Sequence, residues 1–178
     1  MKRNPLGYIN IERLYRGGNM TDSPFLYMKE NSKTVLWNDS ADPKELKDAL
    51  TWGIVGATCN PVIALSALKA DKDYWNARMR EYAKSHLTAT EGEIGWELVK
   101  ELSINAAKIL EPEFEKYYGR NGRLSIQTDP RNFRNSKLLA QQAVEFSKLA
   151  KNMIVKIPVT TEAITAFLLR KQLQLLKL

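Results

Sequence analysis

One cysteine, Cys59, and one histidine, His86, are all that 178 residues offer of the side chains most used for soft metals and disulfides. A lone cysteine excludes an internal disulfide, and the two together are too few for a structural zinc set, so no metal or other cofactor is expected. Long hydrophobic runs are missing as well: no stretch approaches the roughly eighteen consecutive apolar residues of a membrane span. The N-terminus, Met1-Lys2-Arg3-Asn4-Pro5, lacks the apolar core of a secretory signal. A cytoplasmic protein with no membrane partner is the expectation. Glycine-rich phosphate loops are absent too, because Gly53-Ile54-Val55-Gly56 has neither the Walker spacing nor the dinucleotide fingerprint.

What is present is the balance of a folded domain. Apolar residues make up 44% of the chain and charged residues 26%, which excludes disorder throughout. The net charge of +7 invites a nucleic-acid reading. Most of the lysines and arginines, however, alternate with acids, as in Lys44-Glu45-Leu46-Lys47-Asp48, which is the pattern of solvated helix faces. No nucleic-acid partner is therefore expected, and the mild positive excess suits an anionic small substrate. Trp75, Tyr82, Trp96, Tyr117 and Tyr118 fall at helical spacings and read as packing residues. Cys59 has no evident base nearby and reads as a small buried side chain, and His86 as a cap at a helix end.

Three segments follow from composition. Residues 1–32 hold Gly17-Gly18, Pro5 and Pro24 without periodicity and read as an irregular arm. Residues 33–167 carry the regular pattern, and residues 168–178 shift abruptly to leucine, glutamine and lysine. Within the regular part, strands are expected at 34–38, 54–58, 123–128 and 153–157. Helices are expected after Asp42-Pro43, with Glu45 in the first turn, and after Asn60-Pro61. Others should run from Asp73 to Lys84, from Thr90 with Glu93 reaching back, from Ser136 to Ala150, and from near Thr160. The Thr90 helix should reach Leu110 before Pro112 disturbs it. Strands that alternate with helices and lack hairpin turns imply an α/β protein with a parallel sheet, either doubly wound or a barrel.

The polar residues gather where those strands end: Asp39, Asn60, Gln127 and Lys156. In parallel α/β folds the carboxyl ends of strands are where substrates bind. Period-two alternation places Val35, Trp37 and Asp39 on one face, as it does Ser125 with Gln127 and Ile154 with Lys156. Leu36, Leu124, Ile126, Val155 and Ile157 take the other face, under the helices. Lys156 sits within Met153-Ile-Val-Lys-Ile-Pro-Val159, where burial would draw its amine from about 10.4 towards neutrality. A neutral amine attacks a ketone, and the iminium it forms is an electron sink for carbon–carbon cleavage. A strand-end lysine reaching to water is the plain alternative. Such chemistry also needs a carboxylate to move a hydroxyl proton, and Asp39 stands where one is wanted, although Asp equally suits a turn or cap there. Asn60 reads as a helix cap whose amide is still able to meet a hydroxyl, and Gln127 either holds a water or fills a polar layer.

These residues resemble motifs of the transaldolase family, including its fructose-6-phosphate aldolase branch. Leu36-Trp-Asn-Asp39-Ser-Ala-Asp42 resembles the first-strand motif, and Gly56-Ala-Thr-Cys-Asn60-Pro61 the Thr-Thr-Asn-Pro signature with Cys59 in place of a hydroxyl residue. Ser125-Ile-Gln127-Thr-Asp129-Pro-Arg131 is similar to the third-strand pattern, and Val155-Lys156-Ile-Pro-Val-Thr160 to the lysine segment. The resemblance implies a (β/α)8 barrel of TIM type that moves a dihydroxyacetone unit between sugar phosphates. It implies Lys156 as the imine-forming lysine, Asp39 as acid and base, Asn60 as a donor contact, and Gln127 at the water-orienting position, usually Glu in the transaldolase branch. Such barrels take about 250 residues, so a barrel truncated after the fourth strand is expected, with 168–178 as a non-family tail. Its open edge implies poor stability or a partner chain, including a possible homo-oligomer. The competing expectation is a catalytically silent α/β fragment or interaction module in which Lys156 is structural.

Overall fold

A computed structural model describes residues 24–175. Residues 1–23 of the arm expected over 1–32, and the last three residues of the tail, lie outside the described residues. Where the arm was expected to stay irregular, residues Pro24–Asn31 form a helix, α1. It is held by tertiary contacts that local periodicity does not reveal: Lys29 pairs with Glu113 at 2.7 Å and lies over the Tyr117 ring.

The strands are short and all parallel: β1 (Trp37–Asn38), β2 (Gly56–Cys59), β3 (Arg123–Gln127) and β4 (Met153–Lys156), in the spatial order β1-β2-β3-β4. The connections are helical. Helix α2 (Pro43–Thr51) joins β1 to β2. Helices α3 (Pro61–Ala70), α4 (Lys72–Ser85) and α5 (Glu91–Lys116) separate β2 from β3, α6 (Ser136–Phe146) follows β3, and α7 (Thr161–Leu175) follows β4. The arrangement is that of an α/β barrel over its first four strands.

The local starts follow the capping chemistry of the sequence. Asp42 accepts from the amides of Lys44 and Glu45, both at 2.9 Å, and Pro43 supplies a first-turn residue with no amide to satisfy. Asn60 does the same for Val62 and Ile63 at the start of α3. Thr90 and Glu93 form a capping box on α5, and His86 is the C-cap of α4.

Two further expectations fail. Pro112 lies inside α5 instead of ending it. The hydrogen bond it removes would have reached the exposed Lys108 carbonyl, which water can satisfy. Buried Leu110 and the ion pairs of Glu113 with Lys29 and of Glu111 and Glu115 with Lys151 hold the helix on both sides of it. Tyr118 is 90% exposed and does not pack, because its φ of 51° turns the chain out of the helix. Gly122, at φ 71°, then returns the chain to β3; a Cβ there would lie 2.1 Å from the Phe114 amide nitrogen, so only glycine fits.

The core lies between one face of the sheet and the helices. Leu124 and Ile126 on β3, Ala57 and Cys59 on β2 and Met153 on β4 pack with Leu98, Leu102, Ala106 and Leu110 of α5 and with Phe146 of α6. Beneath them the buried Asn152 amide donates to the carbonyls of Ala107 and Gly122, each at 2.8 Å, tying α5 to the strand ends. Ala163 and Ala166 seat α7 on Leu139 and Ala140 of α6, and α7 continues unbroken across Phe167 and Leu168.

Candidate active site

The register of the sheet sorts the side chains into rows. Cys59, Ile126 and Val155 are aligned and face the helices, with Cys59 buried among them. One residue further along, Gln127 pairs with Lys156, and Asn60 follows Cys59 at the end of β2. Side chains alternate along a strand, so Asn60, Gln127 and Lys156 project from the face opposite the core. One step back on that same face, Thr58 pairs with Ser125 and Ser125 with Ile154, while Asp39 follows Asn38 at the end of β1. All four residues singled out in the sequence therefore stand at carboxyl ends of strands, on a single face.

Their immediate bonds differ. Asp39 accepts a hydrogen bond from the Thr58 hydroxyl at 2.5 Å. Thr58 is a partner that sequence reasoning missed, although its parity with Asn60 on β2 was the available signal. Asn60 spends its side-chain oxygen on the α3 cap, which leaves its amide nitrogen as the donor for any ligand. Gln127 is half-buried.

Lys156 is exposed, contrary to the burial expected from its apolar neighbours in sequence. It stands on the outermost strand, on the face that holds none of the core residues, and apolar residues adjacent in the chain point to the other side. Asp39 and Lys156 also occupy opposite outer strands. Three strand spacings of about 4.8 Å put them roughly 14 Å apart along a flat sheet, so only curvature brings their side chains together.

Behind the row, the end of β3 is anchored by a second group, in which Asp129 and Arg131 of the third-strand pattern meet the distant Trp96 and Gln142. The Asp129 carboxylate accepts from Trp96 Nε1 at 2.8 Å and from Arg131 Nη2 at 2.6 Å, and the Asp129 amide donates to Gln142 Oε1 at 2.6 Å. Burial raises the proton affinity of this carboxyl, but the hydrogen bonds and charge of Arg131, helped by Trp96, outweigh it and hold Asp129 below the usual carboxylate range. Trp96 reads as a packing residue in the sequence; its indole nitrogen is what ties α5 to the site. Cys59 is pushed in the other direction, its thiol raised by burial, which suits an inert core residue.

A cleft of about 240 Å³ opens beside the row, between α2 and α3. It is lined by Asp39, Asp42 and Glu45 together with Val62, Ile63 and Ala67. Among the described residues no cluster of three or more metal-type ligands occurs, and no helix is long and apolar enough to cross a membrane.

A parallel sheet wound in sequence order, with its polar side chains collected at the carboxyl strand ends, defines a barrel-type α/β protein. The family model described as transaldolase/fructose-6-phosphate aldolase matches residues 36–172. The transaldolase of Mycobacterium ulcerans (strain Agy99) is 35% identical over 131 residues, which cover 71% of this chain and 33% of the relative. That of Mycobacterium tuberculosis (strain H37Rv) is 33% identical over 131 residues, with the same coverage. The transaldolase of Thermobifida fusca is 32% identical over 116 residues, 64% of this chain and 30% of its own. The chain belongs to the transaldolase/fructose-6-phosphate aldolase family, and it spans about a third of the length of the curated relatives it matches.

Proposed function

We propose that this chain carries the Schiff-base half of a transaldolase-type site, which transfers a dihydroxyacetone unit between sugar phosphates in carbohydrate metabolism of the pentose phosphate kind. The observation that supports this most directly is the shared row of Asn60, Gln127 and Lys156, with Gln127 and Lys156 paired in register. The Lys156 amine adds to the ketose carbonyl and water leaves, forming the iminium. Asp39 takes the proton of the hydroxyl two carbons away, the intervening carbon–carbon bond breaks, and its electron pair moves into the iminium to give an enamine. The aldehyde departs, an acceptor aldehyde takes its place, and the steps run in reverse. Asn60 offers its amide nitrogen to a donor hydroxyl, and Gln127 orients the water that releases the product.

The exposure of Lys156 favours a second reading, a catalytically silent fragment in which this lysine only meets solvent. Borohydride trapping with fructose 6-phosphate separates the two. The proposed function expects a reduced adduct that maps to Lys156 and disappears in Lys156→Met. Absence of an adduct at saturating substrate establishes the silent reading.

A further inference from the structure

The chain just beyond Gln127 is held from β4, from α6 and from α5. The Thr128 amide donates to the Lys156 carbonyl at 3.1 Å, and the Asp129 amide to Gln142 Oε1 on α6 at 2.6 Å. The Asp129 carboxylate, 5% exposed, accepts from Trp96 Nε1 on α5 at 2.8 Å and from Nε and Nη2 of the Arg131 guanidinium. Trp96 is itself fixed, its ring 5.7 Å from that of the buried Phe146 on α6. Arg131 seats against the first turn of α5, where a Cβ on Gly92 would come within 3.2 Å of its Nη1. Since β3 is paired on both sides, this junction does not depend on what borders the outer strands.

A buried carboxylate paired with a guanidinium adds little net stability over an apolar cluster of the same size, because desolvation offsets the attraction. What such a pair can fix is geometry, and the geometry at stake here is that of Gln127. The direction of a strand-end side chain follows the backbone of its own residue and its neighbours, and residues 128 and 129 are both tied. We propose that Trp96, together with Asp129 and Arg131, is a positioning device for Gln127, aiming its amide at the water that attacks the Lys156 imine. The proposal rests on the function proposed above. In that step water adds its oxygen to the iminium carbon and loses a proton to solvent. The carbinolamine then takes a proton on nitrogen, the carbon–nitrogen bond breaks to free the Lys156 amine, and the hydroxyl proton leaves as the ketone forms. Trp96 touches none of the reacting atoms; it acts through Asp129 and the backbone of Thr128.

The test follows the rates at which the full chain gains, and after dilution loses, a borohydride-trappable adduct with dihydroxyacetone, a ketone without the β-hydroxyl that cleavage needs. Trp96→Phe keeps a ring on Phe146 and deletes the donor. It should slow gain and loss alike by roughly fivefold, the scale of one hydrogen bond, and leave the final level of adduct unchanged. The slowing is equal because both directions cross one transition state. In a Gln127→Ala background Trp96→Phe should change neither rate, whereas a merely structural role would slow both backgrounds. Should Trp96→Phe fail to fold, Arg131→Lys takes its place, because that exposed side chain keeps its charge and loses its fork. Equal slowing in both backgrounds, or no slowing in either, overturns the proposal. A wild-type chain that yields no adduct sinks the proposed function alone, and the 15N–1H resonances of the Gln127 side-chain amide then decide the positioning. A shift of those resonances in Arg131→Lys supports it, and superposable resonances overturn it.

Discussion

Gln127 and Lys156 are register partners at the last rung between β3 and β4, and the amide of the next residue, Thr128, donates to the Lys156 carbonyl at 3.1 Å. The backbone of Lys156 is thus locked to the strand that carries Gln127, while its side chain reaches solvent. An amide at position 127 can orient a water but cannot take its proton, and a carboxylate can do both. Gln127→Glu is therefore expected to speed the decay of the borohydride-trappable imine by on the order of tenfold. An unchanged decay rate would show that side chain 127 does not reach the attacking water.

Thr58 is expected to act through Asp39, because its hydroxyl donates to one carboxylate oxygen and leaves the other to exchange a proton. Thr58→Val keeps the shape and deletes the donor. Aldehyde release should fall roughly tenfold, the scale of one charge-assisted hydrogen bond, while imine formation at Lys156 persists. Thr58→Ser should restore release. Equal loss of both steps in Thr58→Val would make the residue merely structural.

Acid stability should depend on Asp129. Its carboxyl is held below the usual range in the folded chain, chiefly by Arg131 acting against burial. A folded value below the unfolded one stabilises the fold above the unfolded value of about 3.9, and this is lost as pH falls through the lower folded value. Asp129→Asn is expected to lower stability at neutral pH and to flatten the loss below about pH 4. Parallel urea titrations of wild type and variant at several pH values check this; identical slopes would remove Asp129 from the account.

Asn152 is 1% exposed and satisfies two buried carbonyls, those of Ala107 and Gly122. Asn152→Ala deletes a buried donor that both carbonyls accept from, although the Ala107 carbonyl keeps the Glu111 amide of its own helix, and should cost roughly 1–3 kcal/mol in chemical denaturation. A loss under about half a kcal/mol would mean that water replaces the amide.

Thr128 presents the opposite case. Its hydroxyl is buried and has no hydrogen-bond partner among the described residues. Thr128→Val, close in shape and without the polar atom, should stabilise the fold by about 1 kcal/mol. Destabilisation instead would reveal a partner, such as an ordered water, that the hydroxyl holds.

Much of this architecture is legible in the sequence because its signals are local. Asp42-Pro43, Asn60-Pro61 and the Thr90–Glu93 pair act within a single helical turn, and each caps the helix expected of it. The alternation in Arg123-Leu-Ser-Ile-Gln127 is likewise a property of one strand, and it appears as buried Leu124 and Ile126 between half-buried neighbours. Pro112 misleads for the same reason: a local rule ends the helix, but long-range ion pairs and a buried leucine carry it through. The hubs at Asp129 and Asn152 join residues 33 and 45 positions apart, and nothing in either local pattern announces them.

The sequence by itself determined which residue types stand at the end of each strand, because strand period and helix caps depend only on near neighbours along the chain. Tertiary structure alone decided how open Lys156 is, that Thr58 holds Asp39, and that Asp39 and Lys156 lie on opposite edges of the sheet. Burial and proximity across strands depend on what packs on the far side of a residue, and that is a property of the assembled sheet.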